Sequence, residues 1–149
     1  MELAGTVSWI LAQKSSAVWT VSPDTTVYDA IKMMADKNVG ALPVVENDRV
    51  LGIVSERDYT RKVILQGRSS KETQVSQIMS TDLIVTHPNE SLTECMRVMT
   101  DKHVRHLPVI QDGKLSGILS IGDVLKWLIS AQTATIEHLE QYIVGAYPT

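Results

Sequence analysis

Two short stretches of this chain pair a serine with an aspartate at a spacing that can do chemistry. Gly52-Ile53-Val54-Ser55-Glu56-Arg57-Asp58 is echoed by Gly117-Ile118-Leu119-Ser120-Ile121-Gly122-Asp123. In each, an apolar run ends at a serine, and an aspartate follows three residues on. Two readings fit. The hydroxyl and carboxylate can satisfy the orphan amides of a helix start as a capping box. The same geometry can also hold a ligand. A helix N-terminus attracts anions, a serine hydroxyl donates to phosphate, and a carboxylate one turn in can accept both hydroxyls of a ribose. Local sequence favours the cap, because Thr26 with Asp29 and Ser91 with Glu94 use the same device elsewhere.

A second constellation is Lys102-His103-Val104-Arg105-His106-Leu107-Pro108, which stands where Lys37-Asn38-Val39-Gly40-Ala41-Leu42-Pro43 stood earlier in the chain. One copy presents an arginine and two histidines; the other presents glycine, alanine and asparagine. Arg105 can grip a phosphate bidentately, or simply favour the dipole at a helix end. His103 and His106 lack a third ligand nearby, so a metal is not expected. There is no nucleophile elbow, Walker loop, Gly-rich dinucleotide fingerprint or cysteine pair. Trp9, Trp19 and Trp127 are expected in the core or an interface.

The elements around these residues repeat. Pro23, Pro43, Gly52, Ser55 and Asp58 return as Pro88, Pro108, Gly117, Ser120 and Asp123, all displaced by the 65 residues that separate Pro23 from Pro88. The register runs without a gap from Thr20–Val63 to Val85–Leu128. Val7-Ser8-Trp9-Ile10-Leu11 is likewise echoed by Val75-Ser76-Gln77-Ile78-Met79, each reading as the opening of its own copy. Each copy predicts a β-prone strand (Val18–Val21, Leu83–Thr86) ended by proline. A helix with Val27, Ala30, Ile31 and Met34, or Leu92, Cys95, Met96 and Met99, on one face follows. Then come a hairpin around Asn47-Asp48 or Asp112-Gly113 and a closing helix opened by Ser55 or Ser120. Gln66–Gln74 reads as the linker. Ile136, Leu139 and Ile143 extend an apolar face into the tail. The fold class is α/β (α+β): two pseudo-two-fold related β-α-β-β-α units packed through their sheets, with N- and C-terminal helical extensions. The boundaries are 8–66 for repeat one, 75–130 for repeat two and 131–149 for the tail, within one module spanning 1–149.

Each repeat alone is near the size at which a core is marginal, so the halves are expected to share one core. The formal charge of −3 supplies no basic field for nucleic acid. No apolar run approaches a membrane span, and Met1–Lys14, with acidic Glu2 and no arginine, does not read as a transit peptide. The sole cysteine, Cys95, excludes an internal disulfide and aligns with Ala30, so it reads as a small packing residue in a reducing compartment.

The duplication, the element order and the ends Gly-Ile-Val-Ser-Glu-Arg-Asp and Gly-Ile-Leu-Ser-Ile-Gly-Asp resemble the cystathionine β-synthase (CBS) domain. Two in tandem resemble a CBS pair, or Bateman module, over roughly Ser8 to Ile129. The resemblance implies a non-catalytic module that binds an adenosine-containing regulator (AMP, ADP, ATP, NAD or S-adenosylmethionine) in clefts between its units. It implies that Asp58 and Asp123 take the ribose diol and that Ser55 and Ser120 face phosphate or ribose. Beside Ser55 and Asp58, Arg57 offers a further phosphate donor or else pairs with Glu56 or solvent. Thr20, Val21, Val39, Ala41 and Pro43, with Val85, Thr86, Val104, His106 and Pro108, would hold adenine. It sets Ser55 and Asp58 against Arg105 and His106, while Asp123 meets only Gly40 and Ala41, so phosphate-rich ligands should prefer the Asp58 side. The expected partners are an adenine nucleotide, a second copy in a homodimer to which the tail could add, and a regulated protein. The expected location is the cytoplasm or an organellar matrix. The rival expectation is a scaffold homodimer that works without ligand.

Overall fold

The computed structural model describes residues 5–14 and 18–146. Glu2 and the end of the tail, 147–149, lie outside the described residues, as does the side chain of Ile143. The elements run α1 (Val7–Gln13), α2 (Val27–Lys37), β1 (Ala41–Glu46), β2 (Arg49–Ser55), α3 (Glu56–Tyr59), α4 (Leu92–Lys102), β3 (His106–Gln111), β4 (Lys114–Ser120) and α5 (Ile121–Ala146). A π turn, Thr60–Ile64, extends α3, and a 3₁₀ turn, Val75–Gln77, opens the second repeat. This is a mixed α/β fold built twice.

Each hairpin is set by its turn and its bulge. Asn47, Asp48, Asp112 and Gly113 all have positive φ, the backbone that a two-residue hairpin requires. Beyond the turns, Val44 pairs Gly52 while Val45 pairs Val50, leaving Leu51 as an extra residue. Val109 with Gly117 and Ile110 with Leu115 repeat the shift in the second copy. β2 and β4 touch across the pseudo-two-fold axis.

The expected first strands shrink to single parallel bridges, Val21 to Val44 and Thr86 to Val109. Val21 donates to Pro43 O (3.1 Å) and accepts from Val45 N (2.8 Å), and Thr86 repeats this with Pro108 and Ile110. Pro23 and Pro88 lack the amide that a longer ladder would need.

The interior also departs from expectation: there are two cores, one per repeat. Val27, Ala30, Met34, Leu42, Val44, Val54 and Val63 fill the first, and Leu92, Cys95, Met99, Leu107, Val109, Leu119, Val124 and Trp127 fill the second. The echoed opening segments are crossed over. Val7 and Ile10 of α1 pack in the second core, whereas Val75 and Ile78 pack in the first. Backbone bonds fix both crossings. Val7 N donates to Glu90 O and Leu92 N to Gly5 O, while Val27 N donates to Thr73 O and Val75 N to Thr25 O. Each repeat thus receives both apolar side chains and partners for its helix-start amides from a segment outside its own β-α-β-β-α unit.

The closing helices differ from one another. Val63 is buried, but Ile64 and Leu65 at the end of the first are exposed. The second continues without a break into the tail as a 26-residue helix. Trp127 is core, and Trp9 and Trp19 are exposed; Lys37 Nζ lies 4.0 Å from the centre of the Trp19 ring.

Candidate functional site

The Ser55–Asp58 motif is a complete capping box. Asp58 N donates to Ser55 Oγ (3.1 Å), and Ser55 N and Oγ both donate to Asp58 Oδ2 (2.9 and 3.0 Å). Asp58 is buried, and its other oxygen, Oδ1, lies 3.1 Å from Lys62 Nζ, one turn along. Lys62 is itself tied to Ile78 O (2.8 Å). Both readings of the serine–aspartate pair therefore survive, since the cap holds the carboxylate at the rim of a cleft.

That cleft measures about 560 Å³, inside the range of small-molecule sites. It brings Ser55, Arg57 and Asp58 of the first repeat together with Val104, Arg105, His106 and Pro108 of the second. Four permanent cations line it, Arg57, Arg61, Lys62 and Arg105, against the carboxylates of Glu56, Asp58 and Asp82. In a chain of net charge −3 this is a local reversal of sign, and it favours an anionic or phosphorylated guest. His106 enters uncharged at neutral pH. Burial lowers its pKa below 6.5, and Lys14 and Arg105 add to this, against an opposing pull from Asp123.

Gly40 lines this same cleft, where its missing side chain leaves room for the other repeat. A Cβ there would stand 3.5 Å from His106 Nε2 and 3.7 Å from Glu56 Oε1. Its carbonyl accepts from Glu56 N (3.1 Å), and Arg105 O accepts from Ile121 N (2.8 Å) at the matching place.

Ser120 and Asp123 repeat the cap but lie outside this cleft: Asp123 N donates to Ser120 Oγ (3.1 Å), and Ser120 N to Asp123 Oδ2 (2.9 Å). The expectation that Asp123 meets no charge is corrected. Lys14, from the opening segment ahead of the first β-α-β-β-α unit, sets Nζ 2.8 Å from Asp123 Oδ2 and 2.9 Å from Ile118 O. Burial pushes the Asp123 pKa up, but the Lys14 and Ser120 hydrogen bonds outweigh it, and the net shift is downward.

Of the expected adenine-contacting residues, Val104, His106 and Pro108 line the cleft and Val39 lines a neighbouring pocket under α2. Val21, Ala41, Pro43 and Thr86 are buried in or beside the cores, and Thr20 and Val85 are exposed. Thr86 Oγ1 sits 3.5 Å from Cys95 Sγ, whose pKa burial pushes up, so Cys95 is a packing thiol. Sequence reasoning missed Ile53, Arg61, Lys62, Ser80, Leu83 and Ile84 on the cleft wall. Arg61 and Lys62 were findable, because they follow Asp58 at helical i+3 and i+4. Ser80 was not: an isolated bridge to Ile53 brings it there. Among the described residues, no group of three His, Cys, Asp or Glu could hold a metal. Among the described residues, no helix is long and apolar enough to cross a membrane.

The fold and the repeated Ser–Asp caps define a tandem CBS module. The CBS-domain family model matches residues 14–64 and 75–130, and the chain belongs to that family. It is 41% identical over 95% of its length to the mitochondrial CBS domain-containing protein CBSX3 of Arabidopsis thaliana, covering 73% of that protein. A protein with CBS domains from Burkholderia ambifaria superposes with a TM-score of 0.82 at 50% identity, over 85% of this chain and 95% of that one. The CBS domain pair of protein MJ0100, solved with 5′-methylthioadenosine and S-adenosyl-L-methionine, shares the fold at a TM-score of 0.74 and 20% identity, over 85% of this chain and 97% of that one.

Proposed function

We propose that this chain is a non-catalytic regulatory module that binds an adenosine-containing ligand, of the AMP, ADP, ATP or NAD(H) class, between its two repeats. The cleft around Asp58 is the principal site. Asp58 takes the ribose diol, exchanging Lys62 for hydroxyl donors, and Ser55 lies beside it. Arg105, Arg57 and neutral His106 face the phosphates. One observation carries this reading: a buried carboxylate on one repeat faces an arginine from the other across a cation-lined cleft. A ligand spanning the two repeats stabilises one relative arrangement of them, and so reports energy or redox state to a regulated protein. The ligands of the MJ0100 pair, both adenosine derivatives, support the chemical class. The working unit is a homodimer in a reducing compartment, cytoplasmic or organellar.

The test is a melting series with AMP, ADP, ATP, NAD, NADH and S-adenosylmethionine, on protein unfolded and refolded to strip carried-over ligand. A ligand at a hundred times its Kd adds about 2.7 kcal/mol, a rise in Tm of roughly five degrees for a chain of this size. The rise should vanish in Asp58→Ala. A flat panel from folded protein overturns the proposal and favours the second reading, a ligand-independent scaffold homodimer. The exposed apolar residues on α5 would form that rival's contact, as they would in the ligand-binding homodimer.

A further inference from the structure

α5 outruns the body that it caps. Val124 and Trp127 are buried in the second core, and Leu128 packs against it. About a quarter turn around the helix, a different stripe stays uncovered: Leu125, Ile129, Ile136 and Leu139 are 47, 62, 55 and 54% exposed. With Gln132 between them, these residues step along the chain by four, three, four and three, and Ile143 stands at the next step of four in the sequence. This is a heptad seam, the spacing at which the side chains of one helix fit between those of another with the same spacing. α2 and α4 turn their apolar faces into the two cores, so neither offers such a seam.

We propose that α5 packs against α5 of a second copy as an antiparallel two-stranded coiled coil. The proposal rests on the homodimer reading above and names its contact. The argument for a second copy, and for the orientation, is charge. With Ile129 and Ile136 at heptad position a, and Leu125, Gln132 and Leu139 at d, position e holds Lys126, Thr133 and Glu140, all exposed. An antiparallel pairing that sets Ile129 on the partner's Leu139, and Gln132 on the partner's Ile136, brings Lys126 to the partner's Glu140. Two-fold symmetry makes that ion pair twice, with Thr133 near the partner's Thr133 between them. A parallel pairing would face e with g, where Leu128 and Thr135 carry no charge. Neither Lys126 nor Glu140 has an ion-pair partner among the described residues. The helix is therefore complementary to itself in one orientation.

The full chain, sized by light scattering over a dilution series, should run at twice its 16.5 kDa. Ile129→Glu with Ile136→Glu should return it to the single-chain mass with an unchanged circular dichroism spectrum, since both side chains are exposed in the monomer. Lys126→Glu alone should weaken the dimer, and adding Glu140→Lys should restore it. In a Cys95→Ala background, a short bis-maleimide linker should join two Thr133→Cys chains on a denaturing gel, and should not join two Ile129→Cys chains; a linker is used because flanking positions stand too far apart for a direct disulfide. The opposite cross-linking pattern overturns the antiparallel arrangement. An unchanged doubled mass in the two-glutamate variant overturns the α5 contact while leaving the homodimer standing. A wild-type chain at single mass overturns both.

Discussion

Lys14 holds Asp123: an ammonium from the opening segment, ahead of the first β-α-β-β-α unit, lies 2.8 Å from the carboxylate that caps the last helix of the second unit. Asp58, at the matching place, is paired with Lys62 on its own helical segment. Two copies of one motif are thus neutralised in different ways. One lysine lies on the same helical segment as its aspartate; the other comes from the segment that crosses into the second core.

Lys14→Met should therefore expose Asp123 as a second site. By calorimetry, the wild type is expected to take up one equivalent of nucleotide and the variant two. The lost ion pair, with both side chains partly exposed, should lower stability by at most about 1 kcal/mol. An unchanged stoichiometry would show that Lys14 does not compete for Asp123.

Arg105 should select for phosphate. Its guanidinium faces the cleft from the repeat opposite Asp58. Arg105→Gln should weaken ATP or ADP about tenfold, the effect of losing one charge-assisted bond of roughly 1.4 kcal/mol, while leaving adenosine nearly unaffected. An equal loss for adenosine and ATP would mean that Arg105 shapes the cleft rather than reading charge.

Gly52 and Gly117 should tolerate alanine unequally. A Cβ at Gly52 would stand 2.7 Å from the backbone oxygen of Ser80, which the paired strand holds in place. At Gly117 the nearest atom is Leu11 Cδ2, at 2.8 Å, the free end of a flexible side chain. Gly52→Ala should cost about 1–3 kcal/mol in chemical denaturation, and Gly117→Ala clearly less.

His106 should make stability fall on mild acidification. Its folded pKa lies below the ordinary 6.5, so the unfolded chain binds the extra proton first. Its contribution is complete above pH 6.5 and is lost as pH drops below that value towards the folded pKa. Asp123, also lowered, adds a separate loss only below its ordinary 3.8. In His106→Gln, urea midpoints should no longer fall just below pH 6.5. A fall equal to wild type would assign the sensitivity to other groups.

Much of this architecture is local and was readable from the sequence. The Thr26, Ser55, Ser91 and Ser120 caps, the apolar faces of α2 and α4 and the hairpin turns each depend on residues within a few positions of one another. The resemblance to the CBS domain then set Ser55 and Asp58 against Arg105 and His106 as candidates for one cleft. What only the tertiary structure decided involves distant segments. The crossing of Val7 and Ile10 into the second core, and of Val75 and Ile78 into the first, leaves no periodic signal, because an apolar segment packs equally well against either copy of a repeated surface. The length of the first strands depended on which amides found partners, not on β propensity. Lys14 reaches Asp123 over a separation of 109 residues, and a lone lysine carries no mark of the carboxylate it will meet. The sequence by itself determined the two units and their caps; long-range packing decided which segment completes each unit and which lysine guards each aspartate.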